Sequence, residues 1–362
     1  MGAYSYDQIQ PQLSISRKEL LELIAVGSEA AGIECVFLGG SIAEGLGNPR
    51  SDVDVYLIVD SVEPFKADEA KFKSLMLGDR IVAPMFFSSA SVADVYRRAA
   101  AGGVLSAVEI DLLHRIRTGI PLAHEETFEA LRLRLPQKEF ARFLVRSGEA
   151  MLSNIFADVA GTLEAGDLPT CAFNSRALID CAMDTYLSMH GETLAREKWR
   201  YRKIERTLGL QDPLARSYLG LVSCVRFDDA DATYDYVDKC LQLFQQIETC
   251  LVAHALHPSF PEILFSNKNA AAGTGQPRRN PLIKMAYESD GTLILIERSP
   301  LFRLAAPHSY IWLTIDGQRP PEKGVEVARQ LAHLAGHEAA GLESMYARSI
   351  AEWSSADLLV AD

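Results

Sequence analysis

The stretch that decides the reading runs from Val36 to Asp60, VFLGGSIAEGLGNPRSDVDVYLIVD. Val36, Phe37 and Leu38 form a short apolar run that stops at Gly39, Gly40 and Ser41. Ile42 to Leu46 can turn helically, and Gly47, Asn48 and Pro49 break that turn. A second strand is expected from Val53 to Val59. Within SDVDVY, Asp52 and Asp54 stand at alternate positions, so on a strand they share a face while Val53 and Val55 point into the core. Neighbouring carboxylates repel each other unless a cation sits between them. Hard oxygen ligands of this kind suit Mg²⁺, which binds one or two carboxylates together with substrate phosphates. Gly40 and Ser41 lie at a strand-to-helix turn, where backbone N–H groups and a hydroxyl can approach a phosphate. The stretch therefore reads as a clamp for a metal and a triphosphate. A surface Asx-rich turn beside an ordinary edge strand would explain the glycines, but not both elements at this spacing.

Gly40, Ser41, Asp52 and Asp54 resemble the signature of the polymerase-β nucleotidyltransferase superfamily, Gly-Ser followed after about ten residues by Asp-x-Asp in a strand. The resemblance implies an α+β fold with a small mixed-sheet nucleotidyltransferase domain. It also implies two Mg²⁺ ions on Asp52 and Asp54 that activate an NTP, ATP first among them, with Gly40 and Ser41 gripping the β- and γ-phosphates. Two departures stand out. The third strand, Arg80 to Phe87 (RIVAPMFF), carries Val82, Ala83, Pro84 and Met85 where the family usually has a third carboxylate. Asp79 precedes that strand, and Glu109 and Asp111 follow the next helix, none at the expected place. Glu44 stands where many relatives carry arginine. Turnover, more than fold, depends on these positions.

Composition sets outer limits. The chain has 362 residues, long enough for two or three domains. Its net charge of −12 disfavours a duplex nucleic-acid partner, which requires a basic footprint. Six cysteines without a C-x-x-C pair read as reduced, buried thiols. Asp7 and Gln8 interrupt the place of a secretory core, and no apolar run reaches the roughly 18 residues of a membrane span, so the cytoplasm is the expected location and no membrane partner is expected.

In chain order, a helix is expected from Ser14 to Ala31 with Ser16 as cap, and another, with a solvated charged face, from Ser61 to Met76. Ala107 to Leu122 reads as a helix ended by Gly119 and Pro121, with His114, Arg115 and Arg117 complementing its dipole. From Phe140 to about Ala255 helix follows helix. Arg176, Asp180 and Asp184 fall on one helical face, and Lys198, Trp199, Arg200, Arg202 and Lys203 follow. This part looks like the carboxy-terminal bundle of kanamycin-nucleotidyltransferase-like enzymes. That likeness implies nucleotide contacts from Lys198 and Lys203 and makes Asp180 and Asp184 candidates for the base. An intrahelical Arg–Asp ladder facing water explains the same pair equally well.

Between His257 and Pro281 the composition turns small, polar and rich in Gly and Pro, the mark of a linker. A hairpin then runs from Leu282 to Glu297 across Ser289-Asp290-Gly291, followed by a short strand Leu301 to Ala305. Next come a helical turn that Ser309 could cap and helices from Glu322 to Leu334 and from Leu342 to Trp353. Asn280 to Val360 looks like a PqqD-like winged-helix domain, the leader-recognition element of many ribosomal-peptide maturation enzymes. It implies that a peptide joins the Leu301 to Ala305 strand, with Leu301, Arg303, Leu304 and Tyr346 as contacts. A DNA-binding winged helix is the competing reading, and the acidic helices speak against it. The expected organisation is thus a nucleotidyltransferase domain (1–135), a helical bundle (136–256), a linker (257–279) and a PqqD-like domain (280–362). The expected activity is NMP transfer from Mg·NTP to a peptide or peptide-derived acceptor. The alternatives are a shell that only binds nucleotide or peptide, and a small-molecule, antibiotic-type transferase.

Overall fold

A computed structural model describes residues 4–25, 32–63, 75–224, 229–266, 276–288, 290–297 and 300–360. The chain divides into two compact units, residues 1–147 with 187–207, and residues 148–186 with 208–362. In the first unit, strands β1 (Ile33–Leu38), β2 (Val53–Val59), β3 (Met76–Leu77), β4 (Arg80–Ser88) and β5 (Ile120–Ala123) form a mixed sheet in the order β3-β4-β2-β1-β5. β2 runs antiparallel to β1 and parallel to β4.

The central strand is apolar on both faces, as a strand covered on both sides requires. Val53, Val55, Leu57 and Val59 pack with Ile9, Leu13, Leu20 and Ile24 of helices α1 (Tyr6–Leu13) and α2 (Arg17–Ala25). Tyr56 and Ile58 face the other way, toward helices α4 (Ser89–Ala100), α5 (Ala107–Thr118) and α6 (Glu125–Leu133); the short helix α3 (Gly40–Ala43) follows β1. On that second face Phe37 is fully buried, stacked on its cross-strand partner Tyr56 at 5.1 Å and packed against Phe128 at 4.7 Å. Burial of one such ring contributes about 1.5–3 kcal/mol. Asp54 projects from the Tyr56 face, at the end of this aromatic row.

The remaining helices are α7 (Gln137–Glu164), α8 (Leu168–Met189), α9 (Arg200–Thr207), α10 (Pro213–Val222), α11 (Ala230–Leu256) and α12 (Phe260–Ser266). The second unit also contains strands β6 (Arg278–Arg279), β7 (Lys284–Tyr287), β8 (Leu293–Ile296), β9 (Pro300–Leu304) and β10 (Leu359–Val360), and helices α13 (His308–Thr314), α14 (Pro321–Leu334) and α15 (Leu342–Ser355). β7, β8 and β9 make an antiparallel sheet with β9 at an edge, and β6 pairs with β10. Trp312 and Trp353 meet edge to face at 5.2 Å in a core that also takes Val252 and Ala253 of α11 and Phe260 and Leu264 of α12.

Several expectations need correction. Ser14 adopts a left-handed conformation (φ 56°) and ends α1, so the expected single helix starts afresh at Arg17, where Ser16 and Glu19 exchange hydrogen bonds as a capping box. Residues 26–31 and 64–74 lie outside the described residues; Met76, the expected end of a helix, is in β3. α5 stops at Thr118, and Ile120 to Ala123 is an edge strand with Ile120 and Leu122 buried, a position that tolerates Pro121. The expected linker contains α12 and β6, both ordered by burial of Phe260, Leu264 and Arg279; its centre, 267–275, lies outside the described residues. The tail shares its core with α11 and α12, so the units do not coincide with boundaries at 135, 256 and 280. Ser309 lies inside α13, fully buried, and Pro307 occupies the cap position. Cys224 is exposed, unlike the buried thiols expected. No helix among the described residues is long and apolar enough to cross a membrane.

Candidate active site

Gly39 and Gly40 are required by what surrounds them. Gly40 has φ +74°, and a side chain there would place its Cβ 1.8 Å from Asp54 Oδ2. A Cβ on Gly39 would lie 2.6 Å from the Tyr56 ring and 3.3 Å from Arg115 Cδ. The Gly39 N–H donates to the Asp54 carbonyl at 2.9 Å. The glycine turn, with Ser41 next to it, is therefore pressed onto the Asp54 carboxylate, and any larger residue would displace one or the other. Asp52 lies just before β2 and is exposed, while Asp54 is half-buried.

Burial pushes the Asp54 carboxyl upward, Asp52 and Asp111 add to the effect, and Arg115 and Lys198 oppose it. Asp52, Asp54, Asp111, Arg115 and Lys198 thus share one electrostatic neighbourhood. Asp111 is buried on α5 and gripped in a fork by Arg196, Nε to Oδ1 at 3.2 Å and Nη2 to Oδ2 at 2.9 Å. Arg115 Nη2 lies 3.2 Å from Asp111 Oδ1, and Arg115 Nη1 donates to Glu44 Oε1 at 2.5 Å. Glu44 also meets His114 Nε2 at 3.0 Å and Arg206 Nη2 at 3.2 Å. Burial alone would raise the Glu44 carboxyl, but His114, Arg115 and Arg206 together hold it down at about 2. Arg206 continues to Glu192 at 2.7 Å. This end of the network borders a cavity of about 770 Å³, lined in part by Glu44, His114, Arg117, Glu192 and Arg206.

Among the expected site residues, Gly40, Ser41, Asp52, Asp54 and Lys198 lie in the first unit, and Lys198 also sits 5.6 Å over the Trp199 ring. Lys203 does not present its amine to a ligand: it is buried, and Nζ donates to the Leu194 carbonyl at 2.9 Å. Asp180 and Asp184 belong to the second unit, where Asp180 pairs with Arg176 at 3.2 Å and accepts from the Tyr218 hydroxyl at 2.6 Å. Arg303 is exposed and paired with Glu288. Leu304 and Tyr346 are core residues; Tyr346 packs so closely on Gly324 that a Cβ there would meet its hydroxyl at 2.2 Å. Their side chains are therefore not at a peptide-facing surface. The Leu301 side chain lies outside the described residues.

Arg196 and Arg206 escape a sequence reading, which meets Asp111 and Arg115 without joining them to the site. Only the i, i+4 spacing of Asp111 and Arg115 signals a pair. Among the described residues no group of three or more His, Cys, Asp or Glu side chains is placed to hold a metal ion. Asp52 and Asp54 remain a two-carboxylate donor set, of the kind that holds Mg²⁺ together with substrate phosphates. No family model matches the chain, and no curated protein matches it.

Proposed function

We propose that the first unit binds a nucleoside triphosphate with Mg²⁺ and transfers its monophosphate to an acceptor. The observation that carries this reading is the Gly40–Asp54 contact: it places a glycine turn and an aspartate of the Asp-x-Asp strand within one van der Waals contact, where phosphate and metal would meet. Asp52 and Asp54 would hold the ion, which when bound neutralises charge on the α-phosphate. Backbone groups of Gly40 and Ser41 orient the β- and γ-phosphates. An acceptor hydroxyl oxygen forms a bond to the α-phosphorus and loses its proton to water, the bond from that phosphorus to the pyrophosphate oxygen breaks, and pyrophosphate departs. Lys198 contributes positive charge on the same side. In the second unit a peptide joins the open edge of β9 through backbone hydrogen bonds, which makes a peptide the acceptor or its carrier.

One observation favours a second reading, nucleotide binding without turnover. Ala83 is the β4 residue in register with Asp54, so the neighbouring strand offers no carboxylate there. The two readings separate in one experiment on the full chain. ATP labelled on the α-phosphate is incubated with Mg²⁺ and short peptides encoded beside the gene, and both nucleotide binding and label transfer are measured. Transfer that is lost in Asp54→Asn supports the enzyme. Binding without transfer supports the shell, and absence of Mg²⁺-dependent nucleotide binding defeats both.

A further inference from the structure

We infer that Arg115 is the second cation of the Asp52–Asp54 site, fixed in the protein where the superfamily resemblance implies a second Mg²⁺, so that nucleotide enters with a single metal ion. This inference rests on the nucleotide-binding reading above and narrows it. Arg115 runs from the last turn of α5 along the face left open by Gly39, where a Cβ would stand 3.3 Å from its Cδ. Its side chain is 8% exposed, so the guanidinium is a buried charge and not a surface one. Nη1 is held by Glu44 at 2.5 Å and Nη2 by Asp111 at 3.2 Å, which fixes the plane of the group beside Asp54 and Tyr56. Its Nε–H is buried without an acceptor among the described residues. A buried donor left over in this way is a ready partner for a ligand oxygen, and a guanidinium matches phosphate geometry.

Ligand supply gives the same answer. A pair of divalent ions needs carboxylates that both can share, and the described residues place four nearby: Asp52, Asp54, Asp111 and Glu44. Asp111 is committed to Arg196 and Arg115, and Glu44 to Arg115, Arg206 and His114. β4 offers Ala83 in register with Asp54. Among the described residues only Asp52 and Asp54 are left for metal, enough for one Mg²⁺ completed by phosphate oxygens. The positive charge that a triphosphate requires beside that ion is then supplied by the guanidinium already buried there, with Lys198 on the same side.

The test is metal stoichiometry, independent of turnover. Mn²⁺ binding to the full chain is followed by electron paramagnetic resonance in the presence and absence of α,β-methylene-ATP, which cannot release pyrophosphate. A single Mn²⁺ per chain with the analogue is expected. In Arg115→Gln, analogue affinity should fall about tenfold or more, as loss of a charge-assisted hydrogen bond implies. Mn²⁺ binding without nucleotide should tighten, because Asp54 loses its resident counter-charge, and Arg115→Lys should recover part of both. A loss of packing alone would weaken both ligands together. Two Mn²⁺ ions bound to the wild-type chain with the analogue would overturn the inference and leave the nucleotide reading standing, as would an Arg115→Gln chain that binds analogue and Mn²⁺ like wild type. A wild-type chain that binds no analogue overturns both. Should Arg115→Gln fail to fold, the wild-type stoichiometry decides by itself.

Discussion

Two buried glutamates, one in each unit, respond to burial in opposite ways. Glu44 accepts from Arg115 and lies within ion-pair distance of Arg206 and His114, and its carboxyl is held at about 2. Glu248, on α11, accepts one backbone N–H, that of Met285 at 3.1 Å, while Oε2 has no partner among the described residues. Burial dominates there, only partly opposed by Lys284 and Arg279, and the carboxyl rises to about 7. Both side chains are nearly inaccessible, so burial does not distinguish them. The number and directness of cationic partners does. A buried acid held by two guanidiniums and in contact with an imidazole is a fixed structural charge that can organise a site, whereas one with a single backbone donor has its carboxyl raised by the surrounding core.

The largest effect expected from this contrast is that of Glu44→Ala. It leaves Arg115, Arg206 and His114 facing one another without their shared anion, and removal of one partner from a buried ion network costs about 3–5 kcal/mol. Urea denaturation monitored on the full chain should show that loss, and a change below about 1 kcal/mol would dissolve the contrast.

The next effect is on pH dependence, and its sign differs between the two sites. Glu44 is held below the ordinary carboxylate value of 4.5, so it contributes stability that is present above that value and lost as pH falls toward about 2. Glu248 is raised to about 7, so it contributes stability that is present below 4.5 and lost as pH rises through about 7. Glu248→Gln keeps an acceptor for the Met285 N–H and removes the titration. Its stability relative to wild type should grow by about 3 kcal/mol between pH 4.5 and 7 and then level off. A flat difference across that range would mean that Glu248 has an ordinary carboxyl.

The smallest expected effect is at Arg303, where the ion pair with Glu288 is at the surface with the arginine side chain 65% exposed. Arg303→Glu should change stability by less than about 1 kcal/mol, because exposed pairs are screened by water and salt. The same substitution should weaken binding of an acidic peptide at β9 under the proposed function. A large loss of stability would show that surface and buried pairs in this chain do not differ as supposed.

Local pattern accounts for much of the architecture. Alternation marks Val53 to Val59, and Asp290-Gly291 marks the tight turn between β7 and β8, where Gly291 takes φ +84°. The short strand at Ile120 was hidden, because IPLA directly continues an apolar helix and its strand character comes only from pairing with β1. Leu304 and Tyr346, legible as residues of an edge strand and a last helix, could not be seen to be core without knowing what packs on them.

By itself the sequence determined the glycine turn and the aspartates that follow it, since spacing along one strand and one turn is local and needs nothing beyond backbone geometry. It also determined the order of the elements in the tail, from hairpin to last helix. Tertiary structure alone decided that Arg115, a residue like many others at a helix C-terminus, turns inward past Gly39 toward Asp54, and that Glu44 gathers partners from positions 114, 115 and 206. The physical reason is that a charge buried at one point of the chain must find its partners wherever the fold brings them, and those partners lie up to 162 residues away along the sequence.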